Sequence, residues 1–104
     1  MTQPELLDVV ELLVDLPDAE RQASDQGTIV ETYDCAYEVE FANSHGETVA
    51  LLALKLEQFA VVWQHATKAW TPLADRIVAL LQELPEDRQQ QVLNFARSLH
   101  RAPA

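Results

Sequence analysis

The stretch Gly27-Thr28-Ile29-Val30-Glu31-Thr32-Tyr33-Asp34-Cys35-Ala36-Tyr37-Glu38-Val39-Glu40-Phe41 decides the fold. Its first part enters a β-rich run directly behind a glycine. Its last five residues alternate apolar and acidic with period two, the spacing of a half-buried strand. One face would hold Tyr37, Val39 and Phe41; the other would hold Glu38 and Glu40 in solvent. Asn43-Ser44-His45-Gly46 is a turn cluster, and Thr48-Val49-Ala50-Leu51-Leu52-Ala53-Leu54 is the next run of strand character. Gly27 and Gly46 are the only glycines in the chain. Both stand where a strand would begin, and each is expected to supply a positive-φ turn position. Phe59 to Trp63 gives a last short strand. Val30, Val39, Phe41 and Leu52 are expected to be buried together.

Upstream of this stretch the periodicity is ambiguous. Leu6, Val9, Val10 and Leu13 are spaced for a helix face, whereas Val10, Leu12, Val14 and Leu16 alternate as a strand. Pro17 stops either one. Residues 18–26 read as an exposed polar loop.

Downstream the period changes to that of helices. Thr71-Pro72 reads as a capping hydroxyl followed by proline at the first helical position. Leu73, Ile77, Leu80, Leu81 and Leu84 recur at helical spacing. Pro85 ends this helix or opens the next. Glu86 and Asp87 then fall in the first turn of a second helix and Arg97, His100 and Arg101 in its last, complementing the helix dipole at both ends. Val92, Leu93, Phe95, Ala96 and Leu99 form its apolar side. His65 to Ala69 has no glycine or proline and could itself be helical. Trp63 and Trp70 flank it, as packing at the junction or as anchors for a partner.

The chain of 104 residues is long enough for one small core. Its formal charge is −10, and the charge is unevenly placed. Residues 1–64 hold 13 acidic residues against Arg21 and Lys55, a net of −11, and residues 65–104 a net of +1. Sequence-blind binding to nucleic acid or an anionic membrane needs a basic footprint, so neither is expected. No apolar run approaches the roughly 20 residues of a membrane span. The N-terminus lacks a basic start and an apolar signal core, and the single cysteine, Cys35, makes no internal disulfide. A cytoplasmic location follows as the expectation.

The ordered series Leu7-Asp8-Val9-Val10-Glu11-Leu12, Leu16-Pro17, Gly27 to Glu31, Ala36 to Phe41 and Leu52-Ala53-Leu54 resembles a small bacterial family, domain of unknown function 4926, over about residues 5–63. The resemblance implies a small SH3-like β-barrel of about five strands, with Val9 to Asp15 as a strand; together with the helical hairpin read from the C-terminal spacing, the chain is expected to be α+β. Such sequences often carry a turn glycine where this chain has Cys35. The Gly27 segment is also similar to the glycine-then-strand pattern of KOW motifs, found in ribosome and transcription factors. Leu84 to Phe95 resembles a helical motif of bacterial antitoxins, domain of unknown function 2281, which implies a dimerising or toxin-binding helix. The organisation expected is an acidic barrel over 5–63, a connector over 64–70 and an amphipathic hairpin over 71–101.

Chemistry-bearing constellations are missing. His45, His65 and His100 are scattered and form no close pair with one another or with Cys35, whereas zinc takes about four such ligands. No glycine-rich phosphate loop exists. Glu38 and Glu40 share a face but no evident pocket. The expectation is a non-catalytic interaction protein without cofactor or metal. Its acidic face (Glu31, Asp34, Glu38, Glu40) would meet a basic partner such as a nuclease-type toxin, in an antitoxin-like manner. Trp70, Leu73, Ile77, Leu80, Leu84, Val92, Phe95 and Leu99 would bury in a homodimer or against that partner, at roughly 1.5–3 kcal/mol each. Two short helices are marginal in water without such packing. The alternatives are a KOW-like nucleic-acid- or ribosome-associated barrel, and a structural homodimer holding an unknown ligand between barrels.

Overall fold

The structure, a computed structural model, describes residues 3–102. Six antiparallel strands are followed by two helices: β1 (Val9–Leu12), β2 (Gln26–Thr32), β3 (Tyr37–Ala42), β4 (Thr48–Leu54), β5 (Phe59–Gln64), β6 (Ala69–Trp70), α1 (Leu73–Gln82) and α2 (Glu86–Arg101). The fold is α+β. The strands form one sheet in the order β4-β3-β2-β1-β5-β6, an SH3-like arrangement that stays open: β4 and β6 are its two edges. Five strands, β1 to β5, occupy the stretch expected to form the barrel, the two-residue β6 adds a sixth from the connector, and the barrel is not closed.

The sheet nevertheless curls over its own core. β3 and β5 stand three strand spacings apart, about 14 Å in a flat sheet. Yet the rings of Tyr37 on β3 and Phe59 on β5 meet edge to face at 5.4 Å. Between them lie Val10, Leu12, Ile29, Val39, Phe41 and Leu54, all buried, with Leu16, Leu52 and Val61 partly buried beside them.

The alternation in β3 is as read: Val39 and Phe41 point inward, and Glu38 and Glu40 lie on the other face. Val30 does not. The register sets Ile29 opposite Val39, and a bulge follows, so that Glu31 rather than Val30 faces Glu38. Ile29 is fully buried, and Val30 is the extra residue of the bulge, half-buried and outside the core. A bulge shifts parity by one residue, which strand periodicity alone does not reveal.

β1 is shorter than the expected Val9 to Asp15. It ends at Leu12, where the chain bends into a short 3-10 turn at Pro17–Ala19. Residues 18–26 are not a loose loop. The Asp15 carboxylate accepts from the Ala23 N–H at 2.8 Å, the Asp25 carboxylate accepts from the Gln22 N–H at 3.0 Å, and Gln26 already belongs to β2. Gly46 has the expected positive φ of 80° in the β3–β4 turn. Gly27 does not; it sits inside β2, where a Cβ would lie 2.6 Å from Val39 Cγ1 and 2.8 Å from the Glu40 carbonyl oxygen. Its role is close approach of strands rather than turn geometry.

Residues 65–68 form the turn of a β5–β6 ribbon rather than a helix, with Lys68 at a φ of 54°. Trp63 and Trp70 are cross-strand partners on that ribbon. Thr71 does not cap α1. Its hydroxyl donates to the Val61 carbonyl at 2.9 Å, and Pro72 occupies the capping position. α1 packs against β5, on the side away from the core, where Val62 is fully buried. Arg76 on α1 fastens this contact through a 2.7 Å ion pair with Glu11 on β1.

Candidate functional site

The outer face of the β2–β3–β4 half of the sheet is acidic. Glu31 stands directly opposite Glu38 in the β2–β3 register, and Glu40 lies two residues further along the same face opposite Thr28. Glu40 accepts a hydrogen bond from the Thr48 hydroxyl at 2.9 Å. Asp34 and Cys35 occupy the exposed β2–β3 turn, closed by Tyr33 N–H donating to the Ala36 carbonyl at 2.8 Å. Cys35 has no positive φ, so the turn does not require the glycine expected there. Glu31 and Asp34 are exposed, whereas Glu38 and Glu40 are half-buried.

The opposed carboxylates act on Tyr33 beside them. Its phenol is held above the ordinary tyrosine value by desolvation, then by the charges of Glu38 and Glu31, with a hydrogen bond to Glu38 adding to the effect. A raised phenol favours the neutral form in the folded state. Whatever stability it adds is complete below the unfolded tyrosine value and is lost as pH rises through the folded one. In an alkaline absorbance titration, Tyr33 should ionise later than a free tyrosine, and Glu38→Gln should lower its value part of the way, since desolvation and the Glu31 charge remain. An unmoved Tyr33 in that variant would show that the carboxylate is not the cause.

The C-terminal residues expected to bury in an interface are open. Trp70 is 65% exposed, Leu73 68%, Phe95 65% and Leu99 60%. Ile77 and Leu80 are exposed and Leu84 and Val92 half-buried. Both helices of the expected hairpin are present; α1 rests on β5, and α2 extends away with little packing along it. Gln89 ties its first turn to the Leu81 and Leu84 carbonyls at 2.8 and 3.2 Å. Beyond that turn every residue except Val92 is exposed. The protein is consequently elongated, with a radius of gyration of 15.3 Å against about 13 Å for a compact chain of this length. Among the described residues no group of His, Cys, Asp and Glu could hold a metal ion, and no helix is long and apolar enough to cross a membrane. A shallow depression runs along one side of α2, bounded by residues of that helix alone.

Residues 6–61 match the family described as Domain of unknown function (DUF4926). The chain belongs to this family. The match runs from just before β1 into β5, so it covers the curled sheet and its acidic face; β6, α1 and α2 lie beyond it. No curated protein and no solved structure matches the chain.

Within the part shared with DUF4926, one polar residue was missed by sequence reading. Asp8 counts there as one more acidic residue, yet it is 3% exposed. Its carboxylate accepts from the Glu5 N–H and, across 57 residues of sequence, from the His65 N–H, both at 2.9 Å. It thereby joins the segment before β1 to the β5–β6 turn. The only sequence signal is its place immediately before an apolar strand.

Proposed function

We propose that this DUF4926 protein is a non-catalytic interaction module that presents α2 to a groove on a basic partner protein, in the manner of an antitoxin. The observation that carries this is α2 itself. Val92, Phe95, Ala96 and Leu99 recur at i, i+3, i+4 and i+7, the spacing by which an amphipathic helix anchors in a groove, on a helix that beyond its first turn is exposed at every residue except Val92. A 16-residue helix gains little stability alone, so its stripe is best explained by what it docks into. The outer glutamates Glu31, Glu38 and Glu40, with Asp34 at the turn, favour a basic partner and speed its encounter. The same charge disfavours nucleic acid, which weighs against a KOW-like role. A cytoplasmic setting suits the exposed free thiol of Cys35.

The test is to ask whether a small basic protein is encoded beside this chain and, if so, to co-express the full chain with it. Phe95→Asp should abolish co-purification while leaving the thermal melt unchanged, because the Phe95 ring touches no core. Glu38→Lys with Glu40→Lys should slow association and make it less sensitive to salt. If Phe95→Asp leaves the complex intact, α2 is not the docking element. Tight, salt-sensitive RNA binding by the wild-type chain would instead favour the nucleic-acid reading.

A further inference from the structure

β4 is a long edge of an open sheet. Among the described residues it pairs with β3 on one side and with no strand on the other, so part of its backbone hydrogen-bonding capacity faces outward. Proteins usually blunt such an edge by brevity, proline or charge. The opposite edge, β6, has only two residues. β4 has seven, Thr48–Leu54, with neither a charge nor a proline among them. Val49 and Leu51, which point away from the core, are 47% and 52% exposed.

The flanking charges say what the edge fits. Glu47 precedes the strand and Lys55 follows it; both are exposed, and each is four residues from Leu51. Lys55 is the only Lys or Arg between Arg21 and Lys68, and among the described residues it makes no ion pair. An occupant of this edge therefore needs an uncharged stretch of the same length with the charges in reverse order. β4 read antiparallel has that pattern.

We propose that β4 is the seam of a homodimer, in which two copies pair antiparallel along β4 about a two-fold axis at Leu51. The arrangement is isologous, as a two-fold requires, and it joins two six-stranded sheets into one. It sets Leu51 against Leu51 and Val49 against Ala53, and it brings Glu47 of each copy beside Lys55 of the other. Parallel pairing would set like charges together at both ends. The bulge in the β3–β4 ladder falls at Val49, where Ala42 faces Thr48 and Phe41 faces Ala50; Ala50 to Leu52 stay regular at the centre of the seam. The proposal does not rest on the role given to α2, which lies elsewhere and remains free in this dimer.

Sedimentation of the full chain over the micromolar range tests the seam. The wild type should be a dimer. Leu51→Lys, at a half-exposed position, should give a folded monomer, because it sets two ammonium groups together at the axis. Lys55→Glu should raise the dissociation constant about tenfold, since like charges directly opposite across a strand pair are destabilising. Adding Glu47→Lys to it should restore wild-type affinity. This swap keeps the test valid even if Leu51→Lys fails to fold. A wild-type monomer at all concentrations would overturn the proposal. So would a dimer indifferent to the charge swap, or one lost on Phe95→Asp and kept on Leu51→Lys, which would place the seam on α2.

Discussion

Gly27→Ala should destabilise the fold by about 2–3 kcal/mol, the upper part of the range for overpacking a core. The added Cβ would lie 2.6 Å from Val39 Cγ1, 2.8 Å from the Glu40 carbonyl oxygen and 3.1 Å from Phe41 Cδ1. The first of these could yield by a rotamer change, but Val39 is fully buried and has nowhere to turn. The second belongs to the β3 backbone, which can retreat only by loosening the β2–β3 ladder. For a domain of this size each kcal/mol corresponds to roughly 4–8 °C in melting temperature, so the melt should fall by about 8–24 °C. Gly46→Ala provides the contrast: its Cβ would meet nothing within 4 Å, and its only strain is the positive φ of 80°. Its cost should be smaller, about 1 kcal/mol. Comparable melts for the two variants would mean that β2 and β3 do not approach as closely at Gly27 as described.

Asp8→Ala should cost about 1–3 kcal/mol, the range for removing one partner of a buried hydrogen bond. The substitution leaves the Glu5 and His65 N–H groups, both in part-buried bonds, without their acceptor, and water can replace it in part. The damage should be local to two distant places in the sequence. Amide exchange should accelerate at Glu5 and at His65, which Asp8 joins across 57 residues of sequence, while the Asn43 and Glu47 amides of the β3–β4 turn exchange as before. Asp8→Asn should fall between, because its side-chain amide retains one oxygen acceptor but turns an N–H donor toward the other N–H. Exchange at His65 unchanged in Asp8→Ala would sink the assignment of Asp8 as the link between the two segments.

The strand alternation from Tyr37 to Phe41 was legible because it rests on side-chain periodicity, which a chain carries in its own order. The same is true of the helical spacing from Leu73 to Leu99 and of the acidic character of residues 1–64. The inward place of Ile29 was not legible, because one bulge residue reverses every later assignment on the strand. Asp8 could not be told from the other acidic residues, since burial of a carboxylate depends on which N–H groups reach it from elsewhere. Gly27 was given the wrong role because turn glycines and close-approach glycines look alike in sequence.

Local spacing and composition specify β2 to β5 as strands, the two C-terminal helices, the turn at Gly46 and the division into an acidic sheet and an amphipathic helical tail; membership of DUF4926 rests on the ordered series of residues over 6–61. Contacts across the fold settle the rest: β1 is a strand, residues 65–70 form a turn and β6, the sheet stays open with β4 as its long bare edge, and α1 rests on β5 while α2 extends away. Strand order and helix docking are set by contacts between residues far apart in the chain. Asp8 with His65, Glu11 with Arg76 and Tyr37 with Phe59 are such contacts, and no local period records which distant partner each one meets.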